Sequence, residues 1–99
     1  MTSPEQEFTK VLHAVADPVR RKILTALKEK GGCSIEKDVG LCASDIEARI
    51  GLTQPTISHH MAVLREAGLV EAKKIGQWMW YRRNEKSLRE FAQALRENL

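Results

Sequence analysis

Cysteines and aromatic residues are few in this 99-residue chain, and what is missing narrows what it can be. Two cysteines, Cys33 and Cys42, are too few to staple a secreted disulfide scaffold. In a reducing compartment they are expected as thiols unless something oxidises or ligates them. Aromatic content is low, at 5%, within a hydrophobic fraction of 42% that suffices for a core. No stretch approaches the ~20 apolar residues needed to cross a bilayer. The segment Met1-Thr2-Ser3-Pro4-Glu5 lacks the basic-then-apolar plan of a secretory signal. A cytoplasmic location and no membrane partner are the resulting expectations. There is no phosphate-binding glycine loop, and no Ser/His/Asp set can be assembled. His59 and His60 are adjacent, so on a helix they point ~100° apart and cannot face one metal together. An enzyme is therefore disfavoured, and neither a cofactor nor a metal is expected.

What is present suits one small domain over residues 1–99. So short a chain buries only a modest share of its surface, which makes dimerisation a natural source of stability. Net charge is +3, a mild bias towards polyanions. The cations are clustered at Arg20-Arg21-Lys22, Lys73-Lys74 and Arg82-Arg83, with the acidic residues spread between them.

Helical periodicity organises most of the chain. Over 5–16, Phe8, Val11, Leu12 and Val15 recur on one face, with His13 pointing away to solvent. Asp17-Pro18 reads as an N-cap followed by a first-turn proline. The helix it opens, 18–29, should bury Val19, Ile23, Leu24 and Leu27, and Gly31-Gly32 ends it. Residues 31–42 read as a polar, glycine-bearing connector holding both cysteines. A short helix at 43–50 turns Ile46 and Ile50 inward and stops at Gly51. Thr53 then caps a helix over 54–67 with Ile57, Met61 and Leu64 on its inner face. The period changes afterwards: Leu69–Ile75 and Trp78–Arg83 read as strands joined through Gly76-Gln77. Leu88, Phe91, Ala92, Leu95 and Leu99 trace the apolar stripe of a closing helix. The fold class is mainly α with a β-hairpin wing, in the order α-α-α-α-β-β-α. Stripes as long as Phe8/Val11/Leu12/Val15 and Leu88/Phe91/Leu95 cannot all be buried in so small a protomer, which points to a two-fold dimer.

The stretch 43–67 carries the functional signal: a short helix, a tight turn at Gly51 and a second helix make a helix-turn-helix. Pro55, Thr56, Ser58, His59 and Ala62 fall on the outer face of the second helix. Small side chains let a helix sit deep in the major groove, and hydroxyl, amide and imidazole groups can reach base edges and phosphates. An ordinary solvated face has the same composition; the basic hairpin that follows favours the winged helix-turn-helix. Lys73, Lys74 and Gln77 would be its contacts. The partner implied is double-stranded DNA carrying an inverted-repeat operator, bound by a homodimer. A winged module that binds protein instead of DNA is the alternative. It would carry acidic or large apolar residues on the outer face of 54–62, and none are there.

At these residues the chain resembles the ArsR-type (arsenic-repressor-like) regulators. The resemblance lies in Asp17-Pro18-Val19-Arg20-Arg21-Lys22-Ile23-Leu24 and in Leu52-Thr53-Gln54-Pro55-Thr56-Ile57-Ser58-His59-His60-Met61. It continues through Leu64-Arg65-Glu66-Ala67-Gly68-Leu69-Val70 and the wing-like Gly76-Gln77-Trp78-Met79-Trp80-Tyr81. It runs over roughly residues 8–98 and implies a homodimer built on the first and last helices, repressing transcription until an effector releases it. Carried over by position, Gln54, Thr56, Ser58 and His59 are the implied DNA readers. His60, on the flank of the buried stripe, is either a brace for the helix or a further DNA contact.

The effector is less legible. Metal sensors of the family often carry Cys-x-Cys inside a Leu-Cys-x-Cys-Asp-Leu pattern, and this chain reads Leu41-Cys42-Ala43-Ser44-Asp45-Ile46. Ser44 stands at the second ligand position and Glu47 where a third thiol can occur, so a site for thiophilic metals is broken. The family's other common site needs histidines on the last helix, and no histidine follows His60. Cys33 and Cys42 could still pair or share a metalloid. Cys42, at a helix N-terminus, is expected to have a lowered thiol pKa. The competing expectation is a repressor with no metal or redox effector, in which Cys42 fills a small capping position.

Overall fold

The computed structural model describes residues 3–29 and 41–99. Along the chain these form α1 (Pro4–Ala16), α2 (Pro18–Glu29), β1 (Leu41–Cys42), α3 (Ala43–Ile50), α4 (Gln54–Glu66), β2 (Val70–Ile75), β3 (Trp78–Arg83) and α5 (Glu85–Asn98). No helix among the described residues is long and apolar enough to cross a membrane.

Helix α1 opens on Ser3 one residue earlier than periodicity suggests. The Ser3 hydroxyl accepts from Gln6 N at 3.2 Å while Gln6 Oε1 accepts from Ser3 N at 2.9 Å, a reciprocal cap. At Asp17 the chain turns directly into α2. Asp17 Oδ1 accepts from Val19 N and Arg20 N at 2.7 and 3.2 Å, as the cap-and-proline reading anticipated.

The last four carbonyls of a helix have no partner within it. In α1 two consecutive arginines of α2 supply all four partners. Arg20 donates to His13 O and Ala14 O at 3.2 and 2.6 Å, and Arg21 to Val15 O and Ala16 O at 2.6 and 2.9 Å. The basic cluster at 20–22 is thus partly internal rather than a surface patch for polyanions. Arg20 is only 7% exposed.

The core joins Ala14 of α1, Ile23 and Leu27 of α2, Ile46 of α3, Leu69, and Ile57, Met61 and Leu64 of α4. Val19 and Ile50, expected inside, are half-buried at its edge. Gly51 separates α3 from α4 in the left-handed conformation, φ 79°, with its N–H donating to Glu47 O at 2.8 Å. A Cβ there would meet nothing within 4 Å, so the requirement for glycine is conformational, not spatial.

Strands β2 and β3 form the expected hairpin, in register from Val70↔Arg83 to Ile75↔Trp78. Leu69 stays outside β2. Its N–H closes the end of α4 on Leu64 O, and its carbonyl accepts from Asn84 N. The connector reading of 31–42 needs correction at its end. Leu41 and Cys42 form β1, which pairs with β3 as Leu41↔Tyr81 and Cys42↔Trp80, giving an antiparallel sheet ordered β1-β3-β2. Two residues are too few to show a period, so the sequence gives no sign of this strand. Helix α5, capped by Asn84 Oδ1 on Ser87 N, has no buried residue and lies against α1, with the Phe8 and Phe91 rings 5.7 Å apart.

Candidate nucleic-acid interface

The two faces of α4 have opposite chemistry. Ile57, Met61 and Leu64 lock it into the core, while Gln54, Pro55, Thr56, Ser58, His59 and Ala62 are all exposed. The exposed side chains are small or carry hydrogen-bonding groups. Anchoring three positions along one face fixes the rotation of the helix and therefore the direction of the other face. Thr53 occupies the N-cap as expected, but its hydroxyl pairs with the Thr56 hydroxyl at 3.1 Å instead of a backbone N–H. That contact holds Thr56 near the start of the exposed face.

His60 is turned elsewhere. It is half-buried, and its Nδ1 lies 3.2 Å from Arg20 Nη1. The same guanidinium approaches Asp17 Oδ2 at 3.9 Å. Of the eight residues read from the sequence as DNA contacts, His60 alone is engaged with the protein interior in this way.

Lys73, Lys74 and Gln77 are exposed on the hairpin. Strand pleat separates the lysines: Lys73 pairs across the ribbon with Trp80 and Lys74 with Met79, so they project from opposite faces. Gly76, at φ 62°, takes the first position of the two-residue turn, where a positive φ suits the twist of a hairpin. Arg82 is neutralised across the ribbon by Glu71 at 2.9 Å, which removes one cation of the late basic cluster from the candidate surface.

The sequence reading missed the apolar tip of the hairpin. Ile75 and Trp78 face each other beside the turn, and Trp78 is 52% exposed whereas Trp80 is 2% exposed. A period-two pattern puts both tryptophans on one face and cannot tell which of them is covered; proximity of Trp78 to Gly76-Gln77 was the available clue.

Cys42 departs from expectation. It is the N-cap of α3, yet 8% exposed, and burial pushes its thiol above the ordinary value. Asp45 adds to this, because its Oδ2 accepts the thiol hydrogen at 3.1 Å and its charge opposes a thiolate. Backbone N–H groups of Asp45 and Ser44 favour the thiolate without prevailing. The lowered pKa expected from the helix N-terminus is therefore overturned by desolvation and a neighbouring carboxylate. Cys33, the other half of the pairing read from the sequence, lies outside the described residues. No group of three His, Cys, Asp or Glu side chains that could hold a metal ion occurs among the described residues.

The residues read as a dimer surface, Phe8, Val11, Leu12 and Val15 of α1 with Leu88, Phe91 and Leu95 of α5, are all half-buried in the protomer. A groove of about 430 Å³ runs between these helices, bordered by Phe8, Val11, Phe91 and Ala94.

Comparison with known proteins bears on this arrangement. The family described as bacterial regulatory protein, arsR family, matches residues 17–72, from the α2 cap into β2. An uncharacterized HTH-type transcriptional regulator of Methanocaldococcus jannaschii is 36% identical over 76 residues, covering 77% of this chain and 76% of that protein. The transcriptional repressor SdpR of Bacillus subtilis is 36% identical over 74 residues, 75% of this chain and 72% of SdpR. Among solved structures, the homodimeric winged helix-turn-helix DNA-binding domain of a possible ArsR-family regulator from Mycobacterium bovis is similar at a TM-score of 0.69. It is 26% identical, over 90% of this chain and 75% of that one.

Proposed function

Because this chain belongs to the arsR family of bacterial regulatory proteins, transcriptional regulators and not enzymes, we propose that it is a homodimeric repressor of an inverted-repeat operator. Helix α4 enters the major groove, with Gln54, Thr56, Ser58 and His59 reading base edges. The hairpin lies along the backbone, where Lys73 and Lys74 contact phosphates from its two faces and Gln77 reaches out from the turn. The observation that carries this reading is the division of α4: a core-locked face opposite an exposed face of small, hydrogen-bonding side chains.

Dimerisation is supported by α5, a helix without a buried residue whose apolar stripe is half-covered by α1. A second copy would complete that coverage, and the similar Mycobacterium bovis domain is homodimeric. One domain over residues 1–99 would then hold both the reading and the dimerisation surfaces, acting on DNA in the cytoplasm. The burial of Cys42 weighs against an oxidant or metalloid striking that thiol first. A thiol-directed release would have to begin at Cys33.

Selection of duplexes from a random-sequence library by the wild-type protein, followed by footprinting, tests the reading. It should return a symmetric site with half-site centres about one or two helical turns apart. Enrichment of no sequence would overturn it.

A further inference from the structure

Arg20 is the buried charged residue among those described, and its position in the fold is unusual. Nε donates to Ala14 O at 2.6 Å, Nη2 donates to His13 O at 3.2 Å, and Nη1 lies 3.2 Å from Nδ1 of His60. A guanidinium has no acceptor, so Nη1–H donates and His60 Nδ1 accepts. That requires a neutral His60 ring with its proton on Nε2. One side chain of α2 thereby ties the last turn of α1 to the middle of α4.

We propose that Arg20 is a positioning residue for operator recognition: acting through neutral His60 and without touching DNA, it seats the reading helix α4 against the C-terminal turn of α1. The inference rests on the reading of α4 as the DNA-reading helix. Helix α1 is also half of the surface assigned to dimerisation, so the Arg20–His60 contact links the angle of each reading head to the dimer axis. Protonation of His60 would remove the lone pair that Nη1 donates to and place a second cation 3.2 Å from a desolvated guanidinium. The seat would then be lost.

The charged groups around His60 are engaged with other partners. From α2 comes Arg20 itself, and from the junction before it Asp17, whose Oδ1 accepts two backbone N–H groups and whose Oδ2 lies 3.9 Å from Arg20. From α1 come the carbonyls that Arg20 caps. On α4 the neighbour is His59, its ring centroid 5.8 Å away. On α3, Asp45 is taken by Cys42 and Arg49 by Glu29; on β2, Glu71 is taken by Arg82. No hydrogen bond or ion pair joins His60 to α3, β2 or α5 among the described residues.

The test uses the whole chain and a duplex that the wild-type protein selects from a random library. Arg20→Ala strips two carbonyl caps and risks misfolding, so the discriminating variants are at His60. His60→Asn places an amide oxygen near the position of Nδ1, whereas His60→Ala removes the acceptor. The Ala variant should bind the selected duplex roughly 3- to 30-fold more weakly than wild type, and the Asn variant should recover wild-type affinity. Nitrogen-15 NMR of the DNA-free protein should show the His60 ring protonated at Nε2 and bare at Nδ1. A ring protonated at Nδ1, or an Ala variant with wild-type affinity, would overturn the inference and leave the proposed function standing. If wild type enriches no duplex, the reading of α4 itself falls, and the inference with it.

Discussion

The thiol of Cys42 sits 3.1 Å from Oδ2 of Asp45, and the two residues bracket the first turn of α3. A cysteine at a helix N-terminus ordinarily gains acidity from the aligned backbone N–H groups. Here burial comes first and raises the thiol, and the carboxylate that shares its hydrogen opposes the thiolate as well.

Cys42 should consequently be a slow nucleophile. In a Cys33→Ser background, alkylation by iodoacetamide at neutral pH should be slower for the folded protein than for the urea-unfolded chain. Asp45→Asn should speed it by removing the opposing charge. Folded protein alkylating faster than the unfolded chain would contradict this environment.

Asp17 gives a pH dependence of stability. Desolvation pulls its carboxyl upward, but N–H bonds from Arg20 and Val19, then the charge of Arg20, outweigh it and hold the pKa below the ordinary value. A depressed carboxylate contributes stability that is complete above its unfolded pKa of about 3.9 and is lost as pH falls through the folded value. Wild type should therefore exceed Asp17→Asn in urea midpoint at neutral pH, with the gap closing below about pH 4. A gap unchanged down to pH 3 would show that the charge contributes nothing.

Much of this architecture was legible because α1, α2, α4 and α5 carry apolar stripes at helical spacing, and Gly51 and Gly76-Gln77 mark turns with few solutions. Three features were not. The two-residue β1 is too short for any periodicity and exists through pairing with β3, contributed by residues about forty positions later. Arg20 reads as a solvated cation because sequence shows its charge but not the orphan carbonyls of α1 that replace its water. Cys42 follows the helix-terminus rule in position and departs from it in chemistry, since the surrounding burial is a tertiary property. In the candidate interface, the outward face of α4 followed from its period, while the inward turn of His60 required the Arg20 contact to be seen.

The proposed dimer surface makes a sharp prediction. Phe91 meets Phe8 at 5.7 Å on helices whose stripes are half-exposed in the protomer. Phe91→Glu would bury an unpaired carboxylate in a two-fold contact, at a cost of several kcal/mol. Sedimentation at micromolar concentration should give a dimer for wild type and a monomer for the variant. A monomeric wild type would remove the dimer.

The tryptophans report on the hairpin. With Trp80 as sole tryptophan (Trp78→Phe), acrylamide should quench weakly; with Trp78 as sole tryptophan (Trp80→Phe), strongly, given exposures of 2% and 52%. Adding selected duplex DNA should shield Trp78 if the hairpin tip approaches the backbone. Quenching unchanged by bound DNA would place the tip away from it.

The central claim is that α4 reads sequence while the hairpin supplies sequence-independent affinity, and salt-dependent binding to selected and scrambled duplexes tests it most directly. Gln54→Ala and His59→Ala should each cut the preference for the selected site by roughly 1–3 kcal/mol for the base edge no longer read. Their salt slope should stay near that of wild type. Lys73→Ala and Lys74→Ala should weaken both duplexes alike and flatten the dependence of log K on log salt by about one for each phosphate no longer neutralised. Lysine variants that change sequence preference, alongside helix variants that leave it intact, would contradict the account.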